Sequence, residues 1–462
     1  MAARACKTSL VPQVIVKEVA MSALSRRDLL TGAAAAAAFT VVPRQAMGGP
    51  AQKPPSEKLN VAGVGVGGMG FGDVRSVAGA GENIVALCDV DERHAARAFK
   101  AFPNAKAHTD FRKMLETQKD IDAVMVATPD HNHAVVSIMA MKLGKHVFCQ
   151  KPLAHSVYEC RRMAAVAAEM KVATQMGNQG QAGEEARLLA ELIWAGAVGT
   201  VREVHAGSNR YPPISPRGVP RSKDAPPVPP TLNWDLWLGP APERPYHPCY
   251  VPFAWRGWWD FGTGVLGDIG CHQLSSTFKA LKLGHPVSVE ACSSNHQCPP
   301  EVTSETAPVS SVTRWKFPAE AGRPPVTVTW YDGGMKPERP EELEPGRKFA
   351  EGDWLMIVGD KGRILDHRLI PESRAKEVGK PPQVLARSPG HYQEWINACK
   401  GGPPAGSNFP DHAAHLAEVV LLGNSAIRTK EKLLWDGPNM RFTNHEPANT
   451  YLNPPYRRGW TL

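Results

Sequence analysis

Three short stretches of this 462-residue chain combine residue types and spacings that could do chemistry. The first is Gln150-Lys151-Pro152, which follows the apolar run His146-Val147-Phe148-Cys149. A lysine at the carboxyl end of a parallel strand offers a fixed cation to an alcohol oxygen that becomes alkoxide-like as hydride leaves its carbon. The second runs from Gly262 to His272, where Asp268 and His272 stand four residues apart. With a helix starting near Asp268, both face the same side. A histidine that is neutral near pH 7 can take the alcohol proton, and an aspartate can orient it or bind a neighbouring hydroxyl. An Asp N-cap beside a satisfied, partly buried His fits the same spacing. The third is Gly65-Val66-Gly67-Gly68-Met69-Gly70. Its G-x-G-x-x-G spacing assigns Gly65 to a tight turn, Gly67 to close approach of backbone and pyrophosphate, and Gly70 to helix-strand packing. Asp89 ends the next apolar run, 24 residues after Gly65, where a carboxylate accepts from adenosine ribose hydroxyls and repels a 2′-phosphate. NAD is therefore favoured over NADP, with Arg93 as a competing phosphate partner.

These residues need elements to hold them. Between Leu59 and about Met176, short apolar runs at 59–64, 84–88, 123–127, 146–149 and 172–176 alternate with amphipathic stretches. That alternation is the signature of a doubly wound parallel sheet, with the glycine loop between the first strand and a helix whose N-terminus supplies amide donors. Glu184–Trp194 reads as a helix ending at Gly196. Twelve prolines between 212 and 248 exclude regular helix there and imply a long ordered arm. Strand-like runs recur at 287–292, 310–317, 326–331 and 354–358 without regular helices between them, which suits a largely antiparallel open sheet. Two helical patterns, 391–399 and 413–429, follow, the second with Leu416, Val419, Val420 and Gly423 on one face. The expected fold is α/β: a Rossmann domain over 56–180, then an α+β domain with an open sheet over 181–440, and a tail over 441–462.

At Ala127-Thr128-Pro129-Asp130-His131-Asn132-His133, and again at Gly144-Lys145-His146-Val147 and Gln150-Lys151-Pro152, the chain resembles the Gfo/Idh/MocA oxidoreductases. The resemblance runs from about Lys58 to Leu283 and is most specific at the Lys-Pro segment. It implies a Rossmann domain paired with an open-sheet domain, activity on sugars, cyclitols or their derivatives, and a cofactor pocket that includes Thr128, Pro129 and His133. In the family the residue before the lysine is Glu and contacts the nicotinamide ribose; here it is Gln150, and an amide can still make that contact. The family's Gly-Gly-Gly, Asp-x-x-x-His pattern is matched by Gly264, Asp268 and His272, with Thr263 interrupting the glycines. The candidate catalytic residues are thus Lys151, Asp268 and His272. Gly65, Gly67, Gly68, Met69, Gly70, Asp89, Thr128, Pro129, His133, Gln150 and Lys151 are the candidate cofactor residues.

Five of twelve tryptophans (Trp234, Trp237, Trp255, Trp258 and Trp259) fall within 26 residues, and aromatic faces suit the C–H faces of sugars. Core packing or a dimer seam would use them equally well. Trp258, Trp259 and Arg256, nearest the Asp-His motif, are the candidate substrate contacts. His131, His133, Cys271 and His272 lack a partner at recognised metal-ligand spacing, so no metal is expected. Cys88 and Cys149 sit in apolar runs as core thiols, whereas Cys292 and Cys298 are close enough in sequence to invite a disulfide.

With 42% hydrophobic and 21% charged residues, the chain is neither disordered nor collagenous. The net charge is +8, but residues 1–50 carry six Lys/Arg against two acids, and no basic run follows, which excludes nucleic acid as a partner. The leader, Ser25-Arg26-Arg27-Asp28-Leu29-Leu30 followed by six alanines, reads as a twin-arginine signal starting at Met21. Its 14-residue apolar stretch is shorter than the roughly 20 residues of a membrane crossing. Ala46 is the nearest cleavage site, and a leader left uncleaved would act as a tether. The expected protein is therefore exported or periplasmic, engages the twin-arginine machinery, forms a homo-oligomer, and oxidises a small carbohydrate with tightly bound NAD. Outside the cytoplasm no sizeable NAD pool exists, so a cofactor loaded before export has to be restored within each cycle. The alternative is therefore an NAD-dependent glycosidase running a redox-neutral oxidation, elimination and reduction. A protein that only bound NAD and a glycan would not need Lys151, Asp268 and His272 together.

Overall fold

The computed structural model describes residues 57–209, 216–320 and 322–462, and the leader lies outside the described residues. Six strands, β1 (Asn60–Val64), β2 (Asn83–Cys88), β3 (Lys106–His108), β4 (Ala123–Val126), β5 (His146–Cys149) and β6 (Thr174–Met176), form a parallel sheet in the order β3-β2-β1-β4-β5-β6. Helices on both faces bury the central strands, which therefore read as apolar runs and not as alternating ones; every residue of β4 is buried. The expected runs missed β3, an edge strand whose Lys106-Ala107-His108 has too little apolar character to mark it. Past Lys151, helix Val157–Met170 begins with a capping box: Ser156 Oγ accepts from the Glu159 N–H, and the Glu159 carboxylate accepts from the Ser156 N–H at 2.8 Å.

Nine further strands follow: β7 (Val201–Ser208), β8 (Ser288–Ser293), β9 (Ser311–Phe317), β10 (Val326–Asp332), β11 (Asp353–Gly359), β12 (Arg363–Leu365), β13 (Arg368–Ile370), β14 (Leu433–Asp436) and β15 (Arg441–Phe442). They make a second sheet in the order β13-β12-β11-β7-β10-β9-β8-β14-β15, antiparallel except where β7 pairs with β10. Along β9 the residues Ser311, Thr313, Trp315 and Phe317 are buried, while Arg314 and Lys316 are exposed, the alternation of a sheet covered on one face. Helix Ala414–Thr429 covers that face together with helix Gly264–Gln273. A Cβ on Gly423 would come within 2.6 Å of both Leu266 and Trp315, so this glycine sets how closely helix and sheet approach. Among the described residues no helix is long and apolar enough to cross a membrane.

The structure corrects four expectations. The Pro-rich arm does contain a helix, Trp234–Leu238, because Asn233 caps it by accepting from the Leu236 N–H at 3.0 Å and the prolines stop at Pro230 and resume at Pro240. The helix carrying Asp268 starts at Gly264, so Asp268 lies inside it and is no cap. Residues assigned to the second domain and the tail return to the first. In helix His391–Cys399, Trp395 and Ile396 share a core with Val61, Leu87 and Phe148, and Trp460 packs 6.2 Å from Phe111. Cys292 and Cys298 are free thiols, with the Cys298 thiol 3.8 Å from the Ser294 carbonyl.

Candidate active site

The glycine loop leaves β1 and enters helix Gly68–Gly79 under tight steric control. Gly65 has φ +77°, and a Cβ there would lie 2.7 Å from the Ala127 carbonyl and the Thr128 nitrogen. A Cβ on Gly70 would lie 2.0 Å from the Gly65 oxygen. At Gly67 the space is taken by the His94 ring, 1.9 Å from where a Cβ would sit. No side chain caps this helix, so its first amides remain for an anion. Asp89, just past β2, accepts from the Gly67 N–H at 3.1 Å and the Asp91 N–H at 3.0 Å. Burial pushes its carboxyl up from the ordinary range, against those two amides and His94.

A cleft of about 1200 Å³, open mouth included, joins this loop to the Lys-Pro segment. Gly65, Gly67, Gly68 and Met69 line it together with Asp89, Thr128, Pro129, His133, Gln150, Lys151 and Arg256. Gly70 lies behind the loop, and Arg93 is exposed and does not line the cleft. His133 ties two of its walls together: Nδ1 lies 2.8 Å from the Pro152 carbonyl and Nε2 2.9 Å from the Thr128 carbonyl. Burial lowers its pKa, so the neutral ring donates to one of the two. His131 is held in the same way between the carbonyls of Phe261 and Trp237, its pKa lowered to about 3 by burial. Asp130 accepts from the Thr263 hydroxyl at 2.7 Å, which fixes the start of the Asp268 helix against the Rossmann loop.

Lys151 and Asp268, 117 residues apart, meet here. The Lys151 ammonium donates to the Asp268 carbonyl at 2.7 Å and pairs with its carboxylate, which also lies 2.8 Å from Arg256 Nη1. Burial alone would raise this carboxyl, but Lys151, Arg256 and His272 together hold it well below the usual carboxylate range. Asp268 and His272 do not line the cleft; Asp268 reaches it through Lys151 and Arg256, and His272 follows one helical turn later.

The tryptophan expectation is corrected. Trp258 is buried against Tyr250 and donates to the Cys249 carbonyl at 3.1 Å, which makes it core. Trp259 lines a separate cavity beside Arg428, and the tryptophans that line the cleft are Trp237 and Trp255. Sequence reasoning also missed His94, which no spacing rule attaches to a glycine loop. A cluster of His285, His415 and Glu418 has ligand types within reach of one another, but Arg161 occupies both Glu418 oxygens at 2.7 and 2.8 Å.

Residues 59–178 match the family model described as oxidoreductase family, NAD-binding Rossmann fold, and residues 220–303 match the C-terminal alpha/beta domain of the same family. Both models belong to the Gfo/Idh/MocA family. The expected α/β architecture and the NAD-binding character of the first domain follow. The uncapped helix, the glycine cradle and the Asp89 carboxylate are the donor and acceptor set that a dinucleotide requires. Among curated relatives, inositol 2-dehydrogenase 1 of Saccharopolyspora erythraea is 37% identical over 110 residues, 23% of this chain and 32% of the relative. Inositol 2-dehydrogenase of Salmonella typhimurium is 32% identical over 116 residues, 24% of this chain and 34% of the relative. The chain thus spans about a third of the length of these relatives. In fold, the likeness to solved structures extends further. WlbA dehydrogenase from Bordetella pertussis, solved with NADH and UDP-GlcNAcA, superposes with a TM-score of 0.57 at 17% identity, covering 82% of this chain and 99% of that one. Levoglucosan dehydrogenase, solved with NADH and L-sorbose, gives 0.54 at 17% identity, with 82% and 98% covered.

Proposed function

We propose that this protein is an exported, NAD-dependent oxidoreductase acting on a sugar or sugar derivative. The observation that carries this reading is the Lys151 ammonium, fixed by Asp268 in the same cleft as the glycine loop and Asp89. Two of its three N–H donors are spent on Asp268, and the third remains for a ligand oxygen. When bound, NAD supplies the hydride acceptor. Lys151 then steadies the alcohol oxygen as it gains negative charge, Asp268 keeps the ammonium aimed, and His272 takes the proton. Polyhydroxylated rings recur in the names of the relatives and fold neighbours, inositol and levoglucosan among them, which supports a substrate of that class.

Export rests on Arg26-Arg27 and the apolar run behind it. A folded chain carried out with NAD inside has no pool to exchange with, which favours a retained cofactor restored within each cycle. That restoration comes from reduction of a second substrate, or from oxidation, elimination and re-reduction of one glycoside. The test incubates the purified holoprotein with sugars and glycosides in deuterated water while the nicotinamide absorbance is followed. Reduction of bound NAD by a polyol supports the oxidoreductase. Many turnovers without free NADH, with deuterium entering beside the oxidised carbon, support the glycosidase cycle. A holoprotein inert towards every polyol and glycoside overturns the reading. Separately, an Arg26→Lys, Arg27→Lys chain that is still exported removes the twin-arginine assignment.

A further inference from the structure

The residue before Lys151 departs from the family's Glu, and the structure supplies a reason on its far side. Gln150 lines the cleft, and its side-chain Nε2 donates to Asp73 Oδ2 at 2.8 Å. Asp73 belongs to the dinucleotide helix Gly68–Gly79 and is fully buried. Its other oxygen accepts from the Tyr392 hydroxyl at 2.7 Å. Tyr392 comes from helix His391–Cys399, and its ring stacks on Phe148 of β5 at 5.5 Å and 24°. The Gln150 amide lies directly over Gly177, where any side chain would displace it, since a Cβ there would come 2.6 Å from Gln150 Oε1. Since Nε2 must face the carboxylate, Oε1 is left on the side of the Lys151 N–H, 3.4 Å away. A carboxylate at position 150 would instead stand against the Asp73 carboxylate at hydrogen-bond distance, buried, with no cation among the hydrogen-bond partners of either side chain in the described residues.

We propose that Asp73, anchored by Tyr392, is a positioning residue that orients the Gln150 amide toward the nicotinamide end of the cofactor cleft and dictates an amide at that position. The proposal rests on the NAD-binding reading of the cleft. Asp73 itself touches no cofactor atom; it acts through Gln150, and the bond polarity between the two is what matters. Reversing that polarity in both partners at once should therefore preserve the arrangement: in Asp73→Asn, Gln150→Glu the amide donates from position 73 and the carboxylate accepts at 150.

The test is calorimetric titration of NAD into the full chain stripped of nucleotide, so it needs no turnover. Gln150→Glu should weaken NAD binding by about tenfold or more, and the double variant should return to within about threefold of the parent. A Gln150→Glu protein that binds NAD like the parent, or a double variant no better than Gln150→Glu, overturns the proposal. Should Gln150→Glu fail to fold, Tyr392→Phe removes one hydrogen bond and no charge; it should weaken NAD by about threefold, and parental affinity there overturns the proposal equally. A parent chain that binds no NAD at all sinks the proposed function instead, so the two failures are distinguishable.

Discussion

The two sides of the cleft are built by opposite means. The glycine-loop side is backbone: steric room at Gly65 and Gly70, free amides at a helix start, and one carboxylate, all within residues 65–89. The Lys151 side is side-chain charge gathered from afar, with Lys151 after β5, Arg256 from the short 3-10 helix Ala254–Gly257 and Asp268 from a helix of the second domain. Backbone geometry tolerates no added atom but is indifferent to pH. A charge cluster tolerates isosteric change in shape but depends on every partner's ionisation. The comparison predicts that damage on the first side shows in cofactor binding and damage on the second in turnover.

The sharpest break of that comparison is His272→Ala, which should lower turnover by on the order of 100-fold while leaving NAD affinity unchanged. Equal turnover in variant and parent would remove His272 from proton transfer. Gly70→Val should do the reverse, weakening NAD by well over about tenfold, because its side chain would displace the Gly65 carbonyl. A valine variant with parental NAD affinity would contradict the steric account of the loop.

Smaller effects sharpen the picture. Asp89→Asn keeps the shape and removes the charge, so NAD should weaken by about threefold to tenfold while NADP, no longer repelled, gains. NADP binding more tightly than NAD to the parent would make the Asp89 assignment wrong. A further effect concerns stability. Burial pushes the Asp73 carboxyl up to about 6, against the Tyr392 and Gln150 hydrogen bonds. A carboxyl raised in the folded state contributes stability that is full below its ordinary pKa near 4 and lost as pH rises through 6. Parent melting temperatures should therefore fall from pH 4 to pH 7 relative to those of Asp73→Asn, by the equivalent of roughly 2–3 kcal/mol. Parallel profiles for the two proteins would show that Asp73 is not held this way.

The same contrast explains what could be read from the chain. The glycine loop, its strand and Asp89 were legible because their partners lie within one βαβ unit and each glycine answers a local steric demand. Lys151 and Asp268 were legible as separate motifs, yet their contact across 117 residues was not, since nothing in either stretch encodes the other. Asp73 and Tyr392 lie further apart still, and neither sits in a motif. Trp258 misled because a tryptophan suits a sugar face and a core equally, and only burial decides between them. The helix at Trp234–Leu238 hid inside a proline-rich arm because it occupies only the short proline-free gap between Pro230 and Pro240, too brief to show a helical period.

The central claim is that Lys151, aimed by Asp268, handles the alcohol oxygen during hydride transfer, and Lys151→Met tests it most directly. Both proteins would be loaded with one equivalent of NAD, mixed with a polyol that the parent oxidises, and followed by nicotinamide absorbance in a single turnover. The account predicts that the methionine variant retains NAD and the fold but reduces it on the order of 100-fold more slowly or worse. Reduction at the parental rate with NAD fully bound would contradict it.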